Sequence, residues 1–191
     1  MKIAKMSEIK RKKRTDVDFS NHIIEVTEQD GLLVHHFKHP EYSKMYSVKF
    51  INTNGIMAVT GDYGNWIFCR EFHPSKEGWV SDGYWHEKLS IASTQEGREF
   101  DHDATREEIE RGINGGLEEW GYEGDTLDEA IEFYQTLLEY VDCSAWEYEA
   151  YAYSNIPGFM DAEDIPHSKK TKIWLQIVFD AFDTMCDRIK D

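Results

Sequence analysis

The sequence contains little cysteine and no long apolar run. Its three cysteines, Cys69, Cys143 and Cys186, are far apart and form no CxxC pair, which argues against a disulfide framework or a cysteine-rich zinc site. We interpret them as reduced, buried thiols, as is usual in a cytoplasm. No run of eighteen apolar residues is present, so no membrane-spanning helix is expected. The first fourteen residues also lack the apolar segment of a secretory signal, so a cytoplasmic protein is expected.

Cations are absent from a long interval of the chain. Between Arg111 and Lys169 there is no lysine or arginine, whereas the same interval contains fourteen aspartate and glutamate residues. The whole chain has a formal net charge of -16. A protein this acidic repels nucleic acid and is attracted to basic surfaces. We therefore expect a basic protein as partner, with no direct binding of free DNA and no membrane partner.

The first fifteen residues differ from the rest in charge. Residues 1–14 contain seven basic residues and one acidic residue, so this segment carries +6 and the remainder carries -22. We treat residues 1–15 as a basic N-terminal arm and residues 16–191 as a single domain. The arm is a solvated chain end, a contact for nucleic acid or an acidic partner, or a segment bound by the acidic body of its own chain. The sequence leaves these three interpretations open.

The first half of the domain, residues 16–100, is predicted to consist mainly of strands and loops. Residues 22–70 alternate between apolar and polar side chains with period two, and turn signals at Asp30-Gly31, Asn54-Gly55 and Gly61-Asp62 divide them. This pattern predicts an antiparallel meander of about five strands. The segment from Tyr84 to Thr94 fits either a short helix capped by Asp82 or a sixth strand.

The second half, residues 101–191, has the periodicity of helices. Capping boxes are predicted at Thr126 with Glu129 and at Ser144 with Glu147, and the helix after Ser144 is expected to end before Pro157. Strands followed by helices predict an α+β fold, an antiparallel sheet with helices packed on one face. The first helix is expected to bury Ile109, Ile113, Leu117 and Trp120, and the predicted core of the later helices is Leu127, Ile131, Tyr134, Leu138, Val178 and Phe182.

Two sets of residues are candidates for contacts with a partner. The first set is acidic. Like charges four residues apart destabilise a helix by roughly 0.2–0.5 kcal/mol per pair, and no lysine is placed to relieve these charges. The acidic residues therefore either bind a partner or form an ordinary solvated surface. The tryptophans of the second set either form a binding surface or cover the core of the sheet. The acidic set is Glu118, Glu119, Glu123, Asp125, Asp128, Glu129, Glu132 and Glu139, and the aromatic set is Trp66, Trp79 and Trp85.

Histidine and cysteine residues form weaker candidates for chemistry. His35 and His36 are adjacent in a predicted strand, so their side chains point to opposite faces. Cys69 is four residues from His73, a spacing compatible with a thiolate–imidazole pair, but a cysteine within a strand is more often a small buried hydrophobe. No cluster supplies four zinc ligands at a recognised spacing. We therefore assign no catalytic residue, no metal and no cofactor.

Several stretches resemble a known family. GDYGNWIFCREFHPS, VSDGYWHEKL and STQEGREFD are similar to a family of small proteins encoded by phages and mobile elements of Gram-positive bacteria, and MKIAKMSEIKRKKRTDVDFS and IPHSKKTKIWLQIVFDAFD are similar to one branch of it. The resemblance implies an anti-CRISPR protein, an inhibitor of a type II CRISPR nuclease in an infected or element-carrying bacterial cell. Some such inhibitors interfere with the guide RNA. The resemblance assigns no site residues.

The charge of the chain favours the same function independently. An RNA-guided nuclease holds its heteroduplex in a positively charged channel, to which an acidic protein would be attracted. Two alternatives stay open. One is a ribonuclease that acts on guide RNA, with His73, His86 or His102 as acid–base groups. The other is a phage module that binds another phage protein.

Overall fold

A computed structural model describes residues 13–42, 46–75, 78, 80–92 and 97–189. The chain divides into two compact units. Unit 1 combines the segment up to Gly97 with the segment from Thr171 onward, and unit 2 is Arg98–Lys170. The sequence predicted a single domain over residues 16–191. Two compact units can still fold together as one domain, so the single domain stays a prediction.

Within the described residues, unit 1 contains a sheet of six strands, each antiparallel to the next in chain order. Asp30-Gly31 and Asn54-Gly55 have positive φ angles at both residues, which is the backbone of a tight hairpin turn. The predicted meander is confirmed, with one strand more than expected. The strands are β1 (Ile23–Gln29), β2 (Leu32–Lys38), β3 (Val48–Thr53), β4 (Ile56–Gly61), β5 (Trp66–Phe68) and β6 (Leu89–Ala92).

The segment after β5 contains both of the predicted alternatives, a short helix and a sixth strand. Helix α1 (Asp82–Lys88) runs directly into β6. Its N-cap is Ser81, whose hydroxyl accepts a hydrogen bond from the Tyr84 amide at 3.3 Å. The prediction of Asp82 as the cap is therefore wrong by one residue. Asp82 is instead the first residue of the helix, where a negative charge is favourable.

The C-terminal helix of the chain covers one face of the sheet. Helix α6 (Ile173–Arg188) packs with Phe182 against Phe50 of β3, at 5.6 Å between ring centroids. Phe179 of the same helix stacks on Trp85 at 4.9 Å. The predicted burial of Val178 and Phe182 is confirmed. The α+β fold is thus confirmed, and the helix that covers the sheet comes from the far end of the chain.

Unit 2 is mainly helical and has its own core. Strands β7 and β8 pair with each other, and Thr171, the last residue of β8, belongs to unit 1. No helix among the described residues is long and apolar enough to cross a membrane. The elements are β7 (Arg98–Phe100), α2 (His102–Arg111), a kinked connection (Gly112–Gly116), α3 (Leu117–Glu119), α4 (Asp125–Tyr140), α5 (Ala145–Asn155), a 3-10 turn (Ala162–Asp164) and β8 (Lys169–Thr171).

The buried face of α4 is rotated relative to the prediction. Tyr134 is buried as predicted, but Leu127, Ile131 and Leu138 are only half-buried. Both predicted and observed faces fit a period of 3.6, and the apolar residues of α4 cover more than half of its circumference, so the pattern alone could not fix the centre of the buried stripe. The fully or nearly fully buried residues of α4 are Ala130, Phe133, Tyr134 and Leu137.

One of the two predicted capping boxes is present. Ser144 and Glu147 form it at the start of α5, which ends before Pro157 as expected. The box predicted at Thr126 is wrong, because α4 begins after Gly124 and has no side-chain cap. The Thr126 hydroxyl instead donates a hydrogen bond to the carbonyl oxygen of Glu123 at 2.7 Å.

The first predicted helix is interrupted by a kink at Gly112–Gly116. Asn114 and Gly115 have non-helical backbone angles there, and Gly115 has a φ of 111°, a conformation that favours glycine. Ile109 and Leu117 are buried, as predicted. The kink changes the direction of the positions that follow, and the predicted core residue Trp120 is 47% exposed.

The described end of the N-terminal arm is bound by carboxylates of its own unit. The Arg14 guanidinium contacts Asp180 at 3.1 Å and Asp183 at 2.8 Å, both on α6, and Asp82 at 2.6 Å. Asp180 also accepts hydrogen bonds from the amide and hydroxyl of Thr15, each at 2.8 Å. At Arg14 the interpretation of the arm as a segment bound by its own chain therefore holds. Residues 1–12 lie outside the described residues.

Two buried histidines, His22 before β1 and His35 on β2, and the half-buried His36 predict that unit 1 loses stability in mild acid. Burial lowers the pKa of His22, His35 and His36, so the unfolded chain binds more protons near their ordinary pKa of about 6.5. Stability is then complete above that pH and decreases as the pH falls. We expect a lower Tm at pH 5.5 than at pH 7.5, and a smaller difference in His35→Phe. Equal differences in the two proteins would contradict a role for His35.

Candidate functional site

The acidic residues predicted to bind a partner all lie on the surface of unit 2. They occupy α3, the loop after it and the outer side of α4, opposite the buried Phe133 and Leu137. We call these residues the acidic face. Every member has an exposed side chain, and the members are Glu118, Glu119, Glu123, Asp125, Asp128, Glu129, Glu132 and Glu139.

Other carboxylates of unit 2 have structural partners. Glu149 pairs with His167 at 2.6 Å, Asp142 pairs with Arg106 at 2.6 Å, and Glu108 accepts a hydrogen bond from the Ser168 hydroxyl at 3.0 Å. Within residues 97–189, by contrast, no carboxylate of the acidic face forms an ion pair or a side-chain hydrogen bond. The acidic face is therefore not needed to satisfy a polar group of the described fold.

The position of each carboxylate along α4 separates two kinds of residue. Asp125 and Asp128 lie in the first turn, where the partial positive charge of a helix N-terminus stabilises an anion. Glu132 lies in the middle of the helix, and Glu139 lies in its last turn, where a negative charge is unfavourable. The local structure explains the first two carboxylates but gives no reason for Glu132 or Glu139.

The negative charge of the chain is concentrated in unit 2. This unit contains 20 acidic and 5 basic residues, a net charge of -15, whereas unit 1 contains 17 acidic and 16 basic residues, a net charge of -1. Together they give the -16 of the whole chain. The field that would attract a basic partner therefore originates almost entirely from the unit that carries the acidic face.

Two exposed tryptophans of unit 2 were not among the predicted site residues. Trp120 directly follows Glu118 and Glu119, and the Arg111 guanidinium lies 5.9 Å from its ring centroid. Trp146 on α5 is 75% exposed. The sequence held a signal for Trp146, because it lies two residues before the buried Tyr148 and hence about 200° around the helix. Large exposed aromatic side chains are common anchors of protein interfaces.

Two tryptophans of the aromatic set lie in the core of unit 1, and the third lies outside the described residues. Trp66 is 2% exposed and its ring nitrogen donates to the carbonyl oxygen of Tyr63 at 3.0 Å, while Trp85 is fully buried. The interpretation that these tryptophans cover the core of the sheet holds for Trp66 and Trp85, so neither offers a contact surface in this structure. Trp79 lies outside the described residues.

The histidines of the ribonuclease alternative are engaged in local contacts. His86 contacts the Thr171 hydroxyl at 2.8 Å, His102 contacts the Val141 carbonyl oxygen at 2.6 Å, and His73 contacts Glu71 at 3.0 Å. Among the described residues no group of three metal-ligating side chains is close enough to hold an ion.

The cysteines are free thiols, but not all of them are buried. Cys186 is buried and Cys143 is half-buried, whereas Cys69 is exposed. The prediction that all three are buried is thus wrong for Cys69, which lies at a bend just after the end of β5 at Phe68, and it holds only in part for Cys143.

Comparison with known proteins identifies no relative. No protein-family model, no curated protein and no solved structure matches this chain. The anti-CRISPR identity implied by the sequence resemblance stays a prediction. The arrangement of unit 2, an array of unpaired carboxylates beside an exposed tryptophan, is suited to binding a basic macromolecular surface.

Proposed function

We propose that this protein is an anti-defence protein of the bacterial cytoplasm that inhibits a type II CRISPR RNA-guided nuclease. The acidic face binds the positively charged channel that otherwise holds nucleic acid. The observation that carries the proposal is the set of exposed, unpaired carboxylates within an interval that has no lysine or arginine. The nuclease as the particular partner rests on the sequence resemblance.

The carboxylates on the outer side of α4 form a row of negative charge that is sparser than a nucleic-acid backbone. Duplex DNA carries about one negative charge per 1.7 Å of axis, whereas a helix rises about 1.5 Å per residue, so carboxylates four to seven residues apart are roughly 6 to 10 Å apart along the axis. Glu132 and Glu139 are seven residues apart on one side of α4, and Asp128 extends the row toward the N-terminus. A groove that binds phosphates would therefore meet several charges along a rigid rod.

Charge reversal on α4 is expected to weaken binding. Replacing Asp128, Glu132 and Glu139 together with lysine should lower the affinity for the nuclease by about 10- to 100-fold, because exposed ion pairs contribute up to about 1 kcal/mol each. Most of the change should appear in the association rate. Binding of the wild-type protein should also weaken between low and physiological salt. Both quantities can be measured by surface plasmon resonance, with target cleavage as the functional assay.

The control for this experiment changes the same number of charges elsewhere. Replacing Asp16, Glu28 and Glu41 with lysine alters exposed carboxylates of unit 1. Each triple variant changes the net charge from -16 to -10. If both variants weaken binding equally, overall charge and not the acidic face is responsible. Wild-type affinity in the α4 variant, or binding that is insensitive to salt, would show that another surface makes the contact.

Interference with the guide RNA is a second route to the same inhibition, and the assay separates the two. Guide RNA is incubated with the protein, with and without the nuclease, and is then examined on a native gel for binding and on a denaturing gel for length. Intact RNA that no longer remains bound to the nuclease indicates displacement, whereas shortened RNA indicates the ribonuclease alternative. A pull-down from infected cells that recovers only phage proteins would favour the interaction-module alternative.

A further inference from the structure

Unit 1 contains an open cavity that the proposed function does not use. Its volume is about 470 Å³, and it lies where β5, the loop after it and α1 come together. The residues that matter for its chemistry are Cys69, Arg70, His73, Tyr84 and Lys88. The cavity therefore combines an exposed thiol with several cationic or potentially cationic groups.

Two cations of the cavity are held against the same aromatic ring. The Arg70 guanidinium lies 5.3 Å and the Lys88 ammonium 5.2 Å from the ring centroid of Tyr84, and Arg70 also donates a hydrogen bond to the Tyr84 hydroxyl. Among the described residues, Arg70 has no carboxylate within ion-pair distance. Lys88 pairs with its neighbour Glu87 at 2.6 Å, through a carboxylate that is 61% exposed. The Tyr84 ring thus holds the positive charges of Arg70 and Lys88 in place, where an anionic ligand could contact them.

Among the described residues one carboxylate lines the cavity, and it is already engaged. Glu71 accepts a hydrogen bond from the Gly55 amide at 2.9 Å through one oxygen and contacts His73 at 3.0 Å through the other. These contacts lower the pKa of Glu71, the Gly55 amide more than His73. Because Glu71 is committed to the amide and the imidazole, it offsets Arg70 and Lys88 only in part.

The thiol of Cys69 has an environment unlike those of the other two. The Cys69 amide donates to the Lys88 carbonyl oxygen at 2.8 Å, which fixes the exposed thiol beside the end of α1. Cys143 is half-buried and follows Asp142 in the acidic unit 2, and Cys186 is fully buried. Reactive cysteines are partly exposed and lie in electropositive surroundings. In this chain Cys69 meets both conditions.

We propose that this cavity binds a small anionic disulfide and that Cys69 exchanges with it. The Cys69 thiolate attacks one sulfur of the disulfide, a new sulfur–sulfur bond forms to Cys69, and the other half leaves as a thiolate that takes up the proton lost by Cys69. The small disulfide is the oxidant and no other reagent is needed. Arg70 and Lys88 hold the negatively charged groups of the ligand. The site lies in unit 1 and does not depend on the acidic face.

The test compares three matched disulfides on the native protein. Dithiodipropionate is a dianion, dithiodiethanol is neutral and cystamine is a dication, and intact mass with peptide mapping gives the rate at each cysteine. Dividing the Cys69 rate by the rate of a free, uncharged small thiol with the same reagent removes the differences in reagent reactivity. Exposed charge pairs change a rate by up to about fivefold each, so we expect this ratio to be about fivefold higher or more for the dianion than for the dication. Modification of the buried Cys186 would report unfolding.

Variants assign the preference to the cavity. Arg70→Gln and Lys88→Gln should each reduce the preference of Cys69 for the dianion, and raised salt should reduce it further. Lys49→Gln removes an exposed cation from β3, away from the cavity, and should leave the preference unchanged. A Cys69 rate that is independent of reagent charge, or a preference that survives both cavity variants, would overturn the proposal. Faster reaction at Cys143 than at Cys69 with the dianion would overturn it as well.

Discussion

Replacing Arg14 with leucine is expected to lower the free energy of unfolding of unit 1 by about 3–5 kcal/mol, the usual loss when one partner of a buried ion pair is removed. Asp180 and Asp183 are 4% and 5% exposed, and the Arg14 guanidinium contacts both. Burial alone would lower the pKa of Arg14, but its hydrogen bonds and ion pairs with Asp82 and Asp183 raise it. Without the guanidinium, two buried carboxylates lose a positive charge that contacts them both.

This loss can be distinguished from a simple loss of packing. The triple variant Arg14→Leu, Asp180→Asn, Asp183→Asn removes the buried negative charges and should recover about half of the lost stability or more. Lys49→Leu, at an exposed position, should change stability by no more than about 0.5 kcal/mol. Amide hydrogen exchange of β2 to β4 measures unit 1 directly. A loss below about 1 kcal/mol in Arg14→Leu would show that water or other groups solvate the carboxylates.

Leu137→Ala is expected to cost about 2–5 kcal/mol, as other large-to-small changes in a core do. Leu137 is fully buried in the core of unit 2. The adjacent Leu138 is only half-buried, so Leu138→Ala should cost about 1 kcal/mol, in the middle of the range for point mutations. The pair is matched in chemistry, helix propensity and position, so the difference reports burial alone.

Denaturant unfolding followed by hydrogen exchange of α4 amides measures both variants. The periodicity of the sequence placed both leucines on the core face and the predicted core named Leu138, whereas in the structure Leu137 is fully buried and Leu138 is half-buried. Equal losses in the two variants would contradict this difference in burial, and a larger loss in Leu138→Ala would restore the predicted core.

The parts of the fold that sequence predicted well are those fixed by short-range chemistry. Asp30-Gly31 and Asn54-Gly55 define tight hairpins because few residues tolerate positive φ angles, and the alternation around them sets the strands. The capping box at Ser144 is similarly local. Exposure of the acidic face also followed from its chemistry, since unpaired charges are rarely buried.

The features that sequence did not predict depend on longer-range packing. Glycines at 112, 115 and 116 suggested a weak helix, but only tertiary contacts decide that a kink forms there and leaves Trp120 exposed. Cys69 was assigned to a strand because residues 65–70 follow a turn signal, although β5 ends one residue before Cys69. The cavity beside it combines residues 69–73 with residues 84 and 88, and no local pattern connects them.

The place of α6 in the fold has a consequence for synthesis on the ribosome. Ten of the sixteen residues of α6 are buried, and they cover a sheet whose first strand begins at Ile23. A nascent chain therefore displays the apolar face of the meander without its covering helix until α6 has left the exit tunnel. During this time the 73 residues of unit 2 can already collapse around their own core. The completion of unit 1 is thus delayed until α6 has emerged, and the period in which chaperones can bind the uncovered sheet is set by the time needed to synthesise unit 2.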